Sequence, residues 1–364
     1  MKNANKKIKP EVLGLKEYAL QPHRASIKIN QNENPWDAPD RIKSETLKRI
    51  EARQWSRYPD FVAFDLHAKL ARFADWTPDG MIAGNGSNEL IQALLMVTIG
   101  PGKRVLICEP TFALYRQITT VLGGEIISAP VKKDFGFDAH AISDAMRMFN
   151  PVVTIICSPN NPTGQVIDAE ALSSILRQTS GLVVIDEAYH EFADQSVVPC
   201  LRDHENLIVL RTFSKAMALA GLRVGYLLAA PDLTAEIKKA VLPYNLNAFS
   251  QAAAEVAIEL YETDLKPLVK RIVAERERVF SELQNIAGLT PVRSRANFMI
   301  VHSVIKPQVV FEELLRRDIL IRDVSSYPML ADYFRLSMGR PDENEKVLAG
   351  LREIFESAAT ASTN

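Results

Sequence analysis

A single lysine stands just past the point where a buried strand is predicted to end. The apolar run from Leu207 to Leu210 predicts the strand, and Lys215 follows shortly after it. Ligand sites of open α/β sheets lie at the carboxyl ends of their strands. A lysine held there is desolvated, which lowers its pKa and makes its neutral amine a nucleophile toward carbonyl groups. Because most lysines are solvated surface charges, the neighbouring residues decide between the two interpretations.

The residues around Lys215 form a set suited to binding a phosphate. Thr212 and Ser214 offer hydroxyl groups, and Arg223 offers a guanidinium that can hold two oxyanion oxygens. A second candidate anion site is the stretch 84–88, GNGSN, where glycines precede a predicted helix. Backbone N–H groups and the helix dipole bind anions at a helix N-terminus. Ser87 can instead simply cap that helix, and one turn can do both.

Two further loops follow apolar strands. The stretch 158–164, SPNNPTG, presents Asn161 after a strand that ends at Cys157, although its composition also fits an ordinary turn. Asp186 follows another apolar strand, and Tyr189 lies three residues further on. A buried aspartate is costly unless it meets a cation, and a protonated pyridine nitrogen is such a cation. Asn161 and Tyr189 could then donate to an oxygen on the other side of the same ring.

Strands and helices must alternate along the chain to bring these loops together. Short apolar runs without polar alternation predict strands that are covered on both faces, and the helical stretches between them predict a mostly parallel sheet. From about residue 248 onward, long charged helices and short strands predict a smaller α+β domain. We therefore predict an α/β fold with an N-terminal arm (1–45) that joins the small domain, a large domain (46–247) and the C-terminal part of the small domain (248–364).

Bulk composition excludes several classes of protein. The 364 residues include 43 basic and 44 acidic side chains, a balance that argues against nucleic-acid binding. No stretch approaches 18 consecutive apolar residues, so we expect no membrane span. Cys108, Cys157 and Cys200 form no CxxC pair, and no apolar segment follows the basic N-terminus, so we expect a cytoplasmic location.

Three other ligand-binding motifs are incomplete in this sequence. A dinucleotide-binding fingerprint needs a third glycine where Glu89 stands, and a Walker loop around Gly102 lacks its Ser or Thr because Arg104 follows Lys103. His190 has no second histidine at zincin spacing, so we expect no metal.

The ordered set of motifs, each after its own strand, resembles that of the fold-type-I pyridoxal-phosphate-dependent aminotransferases. The similarity runs from about Tyr18 to the last helix, and within the family it points to the members that act on histidinol phosphate. The matching stretches are Ile29 to Pro35, Arg57 to Asp60, Gly86 to Glu89, Glu109 to Phe112, Ser158 to Gly164, Asp186 to Tyr189, Arg211 to Arg223, Ile321 to Asp323, and Phe334 to Leu336.

The resemblance implies a covalent link between Lys215 and pyridoxal 5'-phosphate, with Lys215, Asp186 and Tyr189 as the catalytic residues. The cofactor contacts that it implies are Tyr58, Ser87, Asn88, Phe112, Asn161, Asp186, Tyr189, Thr212, Ser214, Lys215 and Arg223. Phe112 stands where the family often has tyrosine, a change that keeps ring stacking and loses a hydroxyl contact. The family's Asp-Glu pair in the phosphate turn is Asn88-Glu89 here.

The resemblance also implies substrate contacts at Tyr18, Asn34, Arg322 and Arg335. Arg335 corresponds to the arginine that binds the substrate's anionic group, although the residue itself also fits a surface arginine on a strand. The implied reaction is transamination between L-histidinol phosphate and 2-oxoglutarate, giving imidazole acetol phosphate and L-glutamate, as in histidine biosynthesis. It implies a homodimer in which Tyr58 reaches the neighbouring subunit's site.

Three alternatives stay open at this point. The first is an aromatic amino acid aminotransferase, and the second is a decarboxylase that uses the same cofactor. The third is a non-enzymatic protein that binds small molecules and descends from such enzymes.

Overall fold

The computed structural model describes residues 3–17 and 23–361. Its strands are β1 (Ile27–Lys28), β2 (Met81–Gly84), β3 (Arg104–Glu109), β4 (Glu125–Pro130), β5 (Val153–Cys157), β6 (Leu182–Asp186), β7 (Leu207–Thr212), β8 (Gly225–Leu228), β9 (Leu289–Pro291), β10 (Phe298–Ser303), β11 (Ile319–Leu320), β12 (Arg322–Asp323) and β13 (Tyr333–Ser337).

The helices alternate with these strands through the first two thirds of the chain. They are α1 (Pro10–Leu13), α2 (Asp40–Glu51), α3 (Phe64–Ala74), α4 (Ser87–Thr98), α5 (Leu114–Val121), α6 (Ala139–Phe149), α7 (Ala169–Arg177), α8 (His190–Ala193), α9 (Pro231–Lys238), α10 (Ala248–Glu259), α11 (Lys266–Gln284), α12 (Pro307–Arg316) and α13 (Pro341–Ala361).

A central sheet of seven strands has the order β2-β8-β7-β6-β5-β3-β4. Its strands run parallel except β8, which is antiparallel to both β2 and β7. Strand β6 is buried along Val183, Val184 and Ile185, and each such side chain stabilises the fold by about 1.5–3 kcal/mol when fully buried. The α/β class and the mostly parallel sheet predicted from the sequence are confirmed.

A second sheet with the order β12-β13-β10-β9 is antiparallel throughout. Its core includes Ile27 and Ile29 of the N-terminal arm, which pack with side chains of α11, α12 and α13. Strand β1 also pairs with β11 in a short parallel sheet. The arm is therefore joined to the C-terminal elements by main-chain hydrogen bonds and by apolar packing.

The domain limits at 45/46 and 247/248 stay a prediction. Helix α10 begins directly after the second limit, and its Ala253, Ala254 and Ala257 pack into the core of the central sheet.

Edge strand β4 is not predicted from the sequence, because most of its side chains are exposed or half-buried and its sequence is therefore less apolar than that of a buried strand. Strands β6 and β7 also extend to Asp186 and Thr212, one and two residues beyond the apolar runs that predicted them.

None of the helices in the described part of the chain combines the length and the apolar character that crossing a lipid bilayer requires.

Candidate active site

A cavity of about 250 Å³ opens at the carboxyl ends of β5, β6 and β7. Parallel strands place the loops after them at one edge of the sheet, so residues far apart in sequence meet there. The site residues predicted from the sequence that line this cavity are Ser87, Asn88, Phe112, Asn161, Asp186, Tyr189, Thr212, Ser214, Lys215, Arg223, Arg322 and Arg335.

Lys215 is partly buried, and its Nζ donates a hydrogen bond to the carbonyl oxygen of Gln31 at 2.9 Å. Burial and the positive charges of Arg335 and Arg223 together lower the pKa of Lys215 to about 8, against the opposing effect of the nearby Glu33. A much larger fraction of the amine is therefore neutral near physiological pH than for an ordinary lysine, and the neutral form is the nucleophile.

Asp186 is the last residue of β6 and is almost completely buried. Its Oδ2 accepts a hydrogen bond from the hydroxyl of Tyr115 at 2.6 Å, and its Oδ1 accepts one from the N–H of Ala188 at 3.1 Å. Burial raises the pKa of Asp186 to about 6 against the lowering effect of these two donors. No arginine or lysine forms an ion pair with Asp186 in the described residues, so the carboxylate retains acceptor capacity for a cationic ligand.

The N-terminus of α4 forms the anion-binding end of the cavity. Gly86 is its N-cap with a positive φ of 77°, and a Cβ at this position would overlap the guanidinium of Arg223. Arg223 Nη1 donates to Ser214 Oγ at 3.0 Å, so a cation and a hydroxyl lie beside the first turn of the helix. Ser87 is the first residue of α4 and does not cap it, which leaves its hydroxyl for a ligand.

The opposite end carries two arginines on neighbouring antiparallel strands. Arg335 of β13 and Arg322 of β12 are directly opposed in register, which places their Cβ atoms roughly 5 Å apart. Arg335 is buried, and its Nη1 and Nη2 donate to Asn161 Oδ1 at 2.6 Å and to the carbonyl oxygen of Asn30 at 2.7 Å. Two like charges held side by side suit an anion that carries more than one negative charge.

Asn161 and Tyr189 lie between these two ends. Asn161 uses its oxygen to accept from Arg335, so its amide nitrogen is the end that can donate to a ligand. Tyr189 is buried, accepts a hydrogen bond from Asn32 Nδ2 at 3.1 Å, and has its pKa raised by burial. Its hydroxyl is therefore protonated at neutral pH and remains a donor.

A buried ion pair holds the ends of the two central strands together. Glu187 follows Asp186 in the DEAY stretch, and Arg211 belongs to β7. Arg211 Nε donates to Glu187 Oε2 at 2.9 Å, and Arg211 Nη2 donates to Ser196 Oγ at 2.6 Å. These motif residues lie away from the cavity and fix the strand ends that carry Asp186 and Lys215.

Among the described residues, two of the predicted site residues are not part of this cavity lining. Asn34 donates to the carbonyl oxygen of Ala216 at 3.2 Å and lines an adjoining cavity instead. Tyr58 is exposed and stacks on Tyr244 with the ring centroids 4.5 Å apart. Tyr18 lies outside the described residues.

The structure adds lining residues that the sequence did not indicate. Tyr115 belongs to α5, Cys157 ends β5, and Asn30 to Asn32 come from the N-terminal arm, where Asn32 has a positive φ of 56°. A non-glycine residue in the left-handed region marks a constrained turn, but its φ is not visible in the sequence.

Among the described residues, no group of three or more His, Cys, Asp and Glu side chains is arranged to hold a metal ion.

The fold and this site define the class of protein. Histidinol-phosphate aminotransferase from Sinorhizobium meliloti, solved in complex with pyridoxal 5'-phosphate, superposes with a TM-score of 0.87 at 24% identity, covering 97% of this chain and 98% of that one. The likeness shows that the chain has the fold-type-I α/β architecture of such enzymes.

Residues 24–351 match the model of the aminotransferase class I and II family. Histidinol-phosphate aminotransferase of Chlorobium phaeobacteroides is 38% identical over 96% of this chain and 97% of its own length. Histidinol-phosphate aminotransferase 1 of Carboxydothermus hydrogenoformans is 39% identical over 94% of this chain and 96% of its own length. The chain belongs to the aminotransferase class I and II family.

Proposed function

We propose that this protein catalyses pyridoxal-phosphate-dependent transamination between L-histidinol phosphate and 2-oxoglutarate, giving imidazole acetol phosphate and L-glutamate. The observation that carries the proposal is one cavity that holds a lysine of lowered pKa, a buried aspartate with no ion-pair partner among the described residues, and two opposed arginines. The named activity of the relatives at 38% and 39% identity supports the choice of substrate.

The donor set of the cavity fits pyridoxal phosphate. Ser87, Asn88, Ser214 and Arg223 would hold its phosphate at the start of α4, where the glycine at 86 leaves room for the guanidinium. Asp186 would accept a hydrogen bond from the protonated ring nitrogen with its remaining acceptor capacity. When bound, the cofactor supplies an aldehyde for the lysine amine and an electron-poor ring that stabilises negative charge at the substrate Cα.

The other contacts complete the fit. Asn161 and Tyr189 would donate to the phenolate oxygen of the cofactor, and Thr212 would complete the cofactor contacts near Ser214, whose N–H it already accepts at 3.1 Å. Phe112 would stack on the ring, a contact that needs no hydroxyl.

Different residues of this chain would carry out the proton transfers and the binding of the substrate. Lys215 Nζ would take the proton from the substrate Cα and deliver it to a carbon of the cofactor. Its lowered pKa lets the amine both accept and release a proton near neutral pH. Tyr189 and Asn32 form a hydrogen-bonded pair that holds the Tyr189 hydroxyl in place. Arg335 binds the substrate's anionic group with one guanidinium that is already fixed by Asn161 and the Asn30 carbonyl.

Dual recognition of the two substrates follows from the paired arginines. Histidinol phosphate carries a phosphate ester on the carbon next to Cα, where glutamate carries its α-carboxylate. Arg335 can serve both groups because its fork matches either oxyanion. A phosphate is larger and carries nearly two charges, so it can also engage Arg322 on the opposed strand.

We expect Arg335→Lys to weaken both half-reactions, by about 1.5–3 kcal/mol each, because lysine keeps the charge and loses the second parallel hydrogen bond. Arg322→Ala is expected to raise KM for histidinol phosphate much more than KM for glutamate. Single-turnover kinetics of each half-reaction, followed by the cofactor absorbance, measures both effects. Arg316→Ala, which removes an exposed arginine of α12, is the matched control and should change neither. An equal rise in KM for histidinol phosphate and for glutamate in Arg322→Ala would contradict a phosphate-specific pocket and favour an aromatic aminotransferase.

A substrate panel tests the proposed function. The purified protein, loaded with pyridoxal phosphate, is offered histidinol phosphate or aromatic amino acids with 2-oxoglutarate, and glutamate formation is measured. Glutamate formed fastest with histidinol phosphate supports the proposal, and faster turnover of an aromatic amino acid contradicts it. Release of carbon dioxide without glutamate would instead identify a decarboxylase, and no turnover of any substrate would favour a binding protein.

We propose that the active unit is a homodimer and that Tyr58 completes the partner's cofactor site. Exposed aromatic side chains support this proposal: Trp55, Tyr58, Phe61 and Phe64 are between 68% and 82% accessible in the isolated chain. Such a cluster of large apolar side chains is rare on a monomer surface and is typical of an interface. The proposal includes a cytoplasmic location, which the free thiols of Cys108, Cys157 and Cys200 support.

Mixing two impaired chains is expected to restore activity if the sites are shared. A Lys215→Ala chain keeps Tyr58, and a Tyr58→Ala chain keeps Lys215, so each hybrid dimer contains one intact site. Random exchange makes about half of the dimers hybrids, which predicts recovery of about a quarter of the normal activity. Subunit exchange is verified by mass spectrometry of differently tagged chains. Verified exchange without recovery would contradict the shared site.

A further inference from the structure

Tyr115 connects α5 to the floor of the cavity through one short hydrogen bond. Its hydroxyl lies 2.6 Å from Asp186 Oδ2, although 71 positions separate the two residues in the chain. Tyr115 is fully buried and Asp186 almost fully, so the bond lies in a region of low dielectric where a hydrogen bond to a charge is strong.

Tyr115 is also the only side-chain donor to this carboxylate in the described residues, because Oδ1 is held by the backbone N–H of Ala188. The titratable groups that face Asp186 are Tyr115 of α5, Cys157 of β5, Lys215 beyond β7, and Glu187 and Tyr189, which follow Asp186 in the chain. Glu187 is engaged by Arg211, and Lys215 donates to the Gln31 carbonyl. The hydroxyl of Tyr115 holds Oδ2 while the backbone holds Oδ1, so the two donors together fix the plane of the carboxylate.

The ring of Tyr115 has a second contact. Its centroid lies 5.5 Å from that of Phe112, with the two planes at 85°, an edge-to-face pair of the favourable kind. Phe112 is one of the aromatic side chains that line the cavity, and Asp186 lines it as well. One buried side chain thus supports both groups that would contact the cofactor ring.

We propose that Tyr115 is a positioning residue of the transamination: its hydroxyl holds the Asp186 carboxylate toward the ring nitrogen of pyridoxal phosphate, and its ring holds Phe112 against the ring face. The proposal rests on the proposed function. Tyr115 touches neither substrate nor reacting atoms, and it acts through Asp186 and Phe112.

Loss of the Tyr115 hydroxyl should change the pKa of Asp186 in a known direction. A donor to a carboxylate favours its charged form, and the Tyr115 bond lowers the pKa of Asp186 while burial raises it to about 6. Removing that donor therefore raises the pKa, so that more of Asp186 is protonated at neutral pH. A protonated carboxyl cannot pair with a protonated ring nitrogen, so the acidic limb of the activity profile should move to higher pH.

The test compares Tyr115→Phe with Tyr226→Phe, which removes another buried hydroxyl, one that accepts from Arg211 at 3.4 Å and does not line the cavity. Protonation of Asp186 in the cofactor-free protein is followed by the infrared carbonyl band of the protonated carboxyl, with Asp186→Asn as the blank. We expect the midpoint to rise by about one pH unit in Tyr115→Phe and to stay in place in Tyr226→Phe. Tyr115→His, which keeps a ring donor, is expected to recover part of the shift and offers a second variant if the first folds poorly.

In the cofactor-loaded enzyme, kcat of Tyr115→Phe should fall about fivefold at pH 6 and about twofold at pH 7, because a midpoint raised by about one pH unit leaves less of Asp186 ionised, and it should recover as the pH rises further. An unchanged midpoint in the cofactor-free protein, or a loss of kcat that is the same at every pH, would overturn the inference. The infrared measurement needs no substrate, so it decides the inference separately from the substrate panel that decides the proposed function.

Discussion

Replacing Lys215 by alanine is expected to abolish transamination, with a loss of at least about 10⁴-fold in turnover, while non-covalent binding of pyridoxal phosphate persists. The amine is both the covalent anchor and the base at Cα, so its removal takes away two functions at once. Binding persists because Ser87, Ser214, Arg223 and Asp186 lie in the same cavity and do not depend on the lysine. Single-turnover absorbance with histidinol phosphate measures the loss, and titration of the cofactor-free variant measures the binding.

The matched control is Lys43→Ala, which removes an exposed lysine of α2 that pairs with Asp37. This variant should turn over at the normal rate. More than trace transamination by Lys215→Ala would show that another amine performs the reaction, and failure of that variant to bind the cofactor would show that the other contacts are misassigned.

Replacing Asp186 by asparagine is expected to lower the rate by about 10³-fold or more, which corresponds to several kcal/mol of barrier. A neutral amide cannot hold the proton on the ring nitrogen, so the ring withdraws electrons poorly from the substrate Cα. Asparagine is nearly isosteric, so it preserves packing against Tyr115 and removes only the charge. Steady-state and single-turnover rates at saturating cofactor separate this effect from weaker binding.

Asp144→Asn serves as the control, since Asp144 is an exposed carboxylate of α6 that pairs with Arg147. Its rate should be normal. A near-normal rate for Asp186→Asn with bound cofactor would show that this carboxylate does not pair with the ring nitrogen.

The sequence predicted the floor of the site well because the chemistry there follows directly from strand ends. Lys215 and Asp186 each come shortly after an apolar run, and a parallel sheet brings such positions to one edge. The structure places both in the same cavity, together with Asn161 and Arg223. Their catalytic and binding roles stay predictions that the variants above test.

The remainder of the site depends on contacts between residues that are distant in the chain, which no local sequence pattern predicts. The Gln31 carbonyl that accepts from Lys215 is a backbone atom 184 positions away, and any residue could present it. The opposition of Arg322 and Arg335 is set by the register of β12 and β13, which the sequence alone does not fix. Tyr115 belongs to an amphipathic helix whose buried tyrosine could equally have been an ordinary core residue.

The substrate contact of Asn34 stays a prediction. This residue lies within the stretch 29–35 that resembles the family, yet its side chain binds the Ala216 carbonyl in an adjoining cavity. Asn30 and Gln31 of the same stretch line the main cavity instead.

Borohydride reduction of the protein loaded with pyridoxal phosphate, followed by peptide mass mapping, tests most directly whether Lys215 carries the cofactor. Reduction converts the link between the amine and the cofactor aldehyde into a stable bond. We expect the pyridoxyl mass on the peptide that contains Lys215 and no label on that peptide in the Lys215→Ala protein. A stoichiometric label on another lysine, or none at all at saturating cofactor, would contradict the assignment of Lys215 as the anchor.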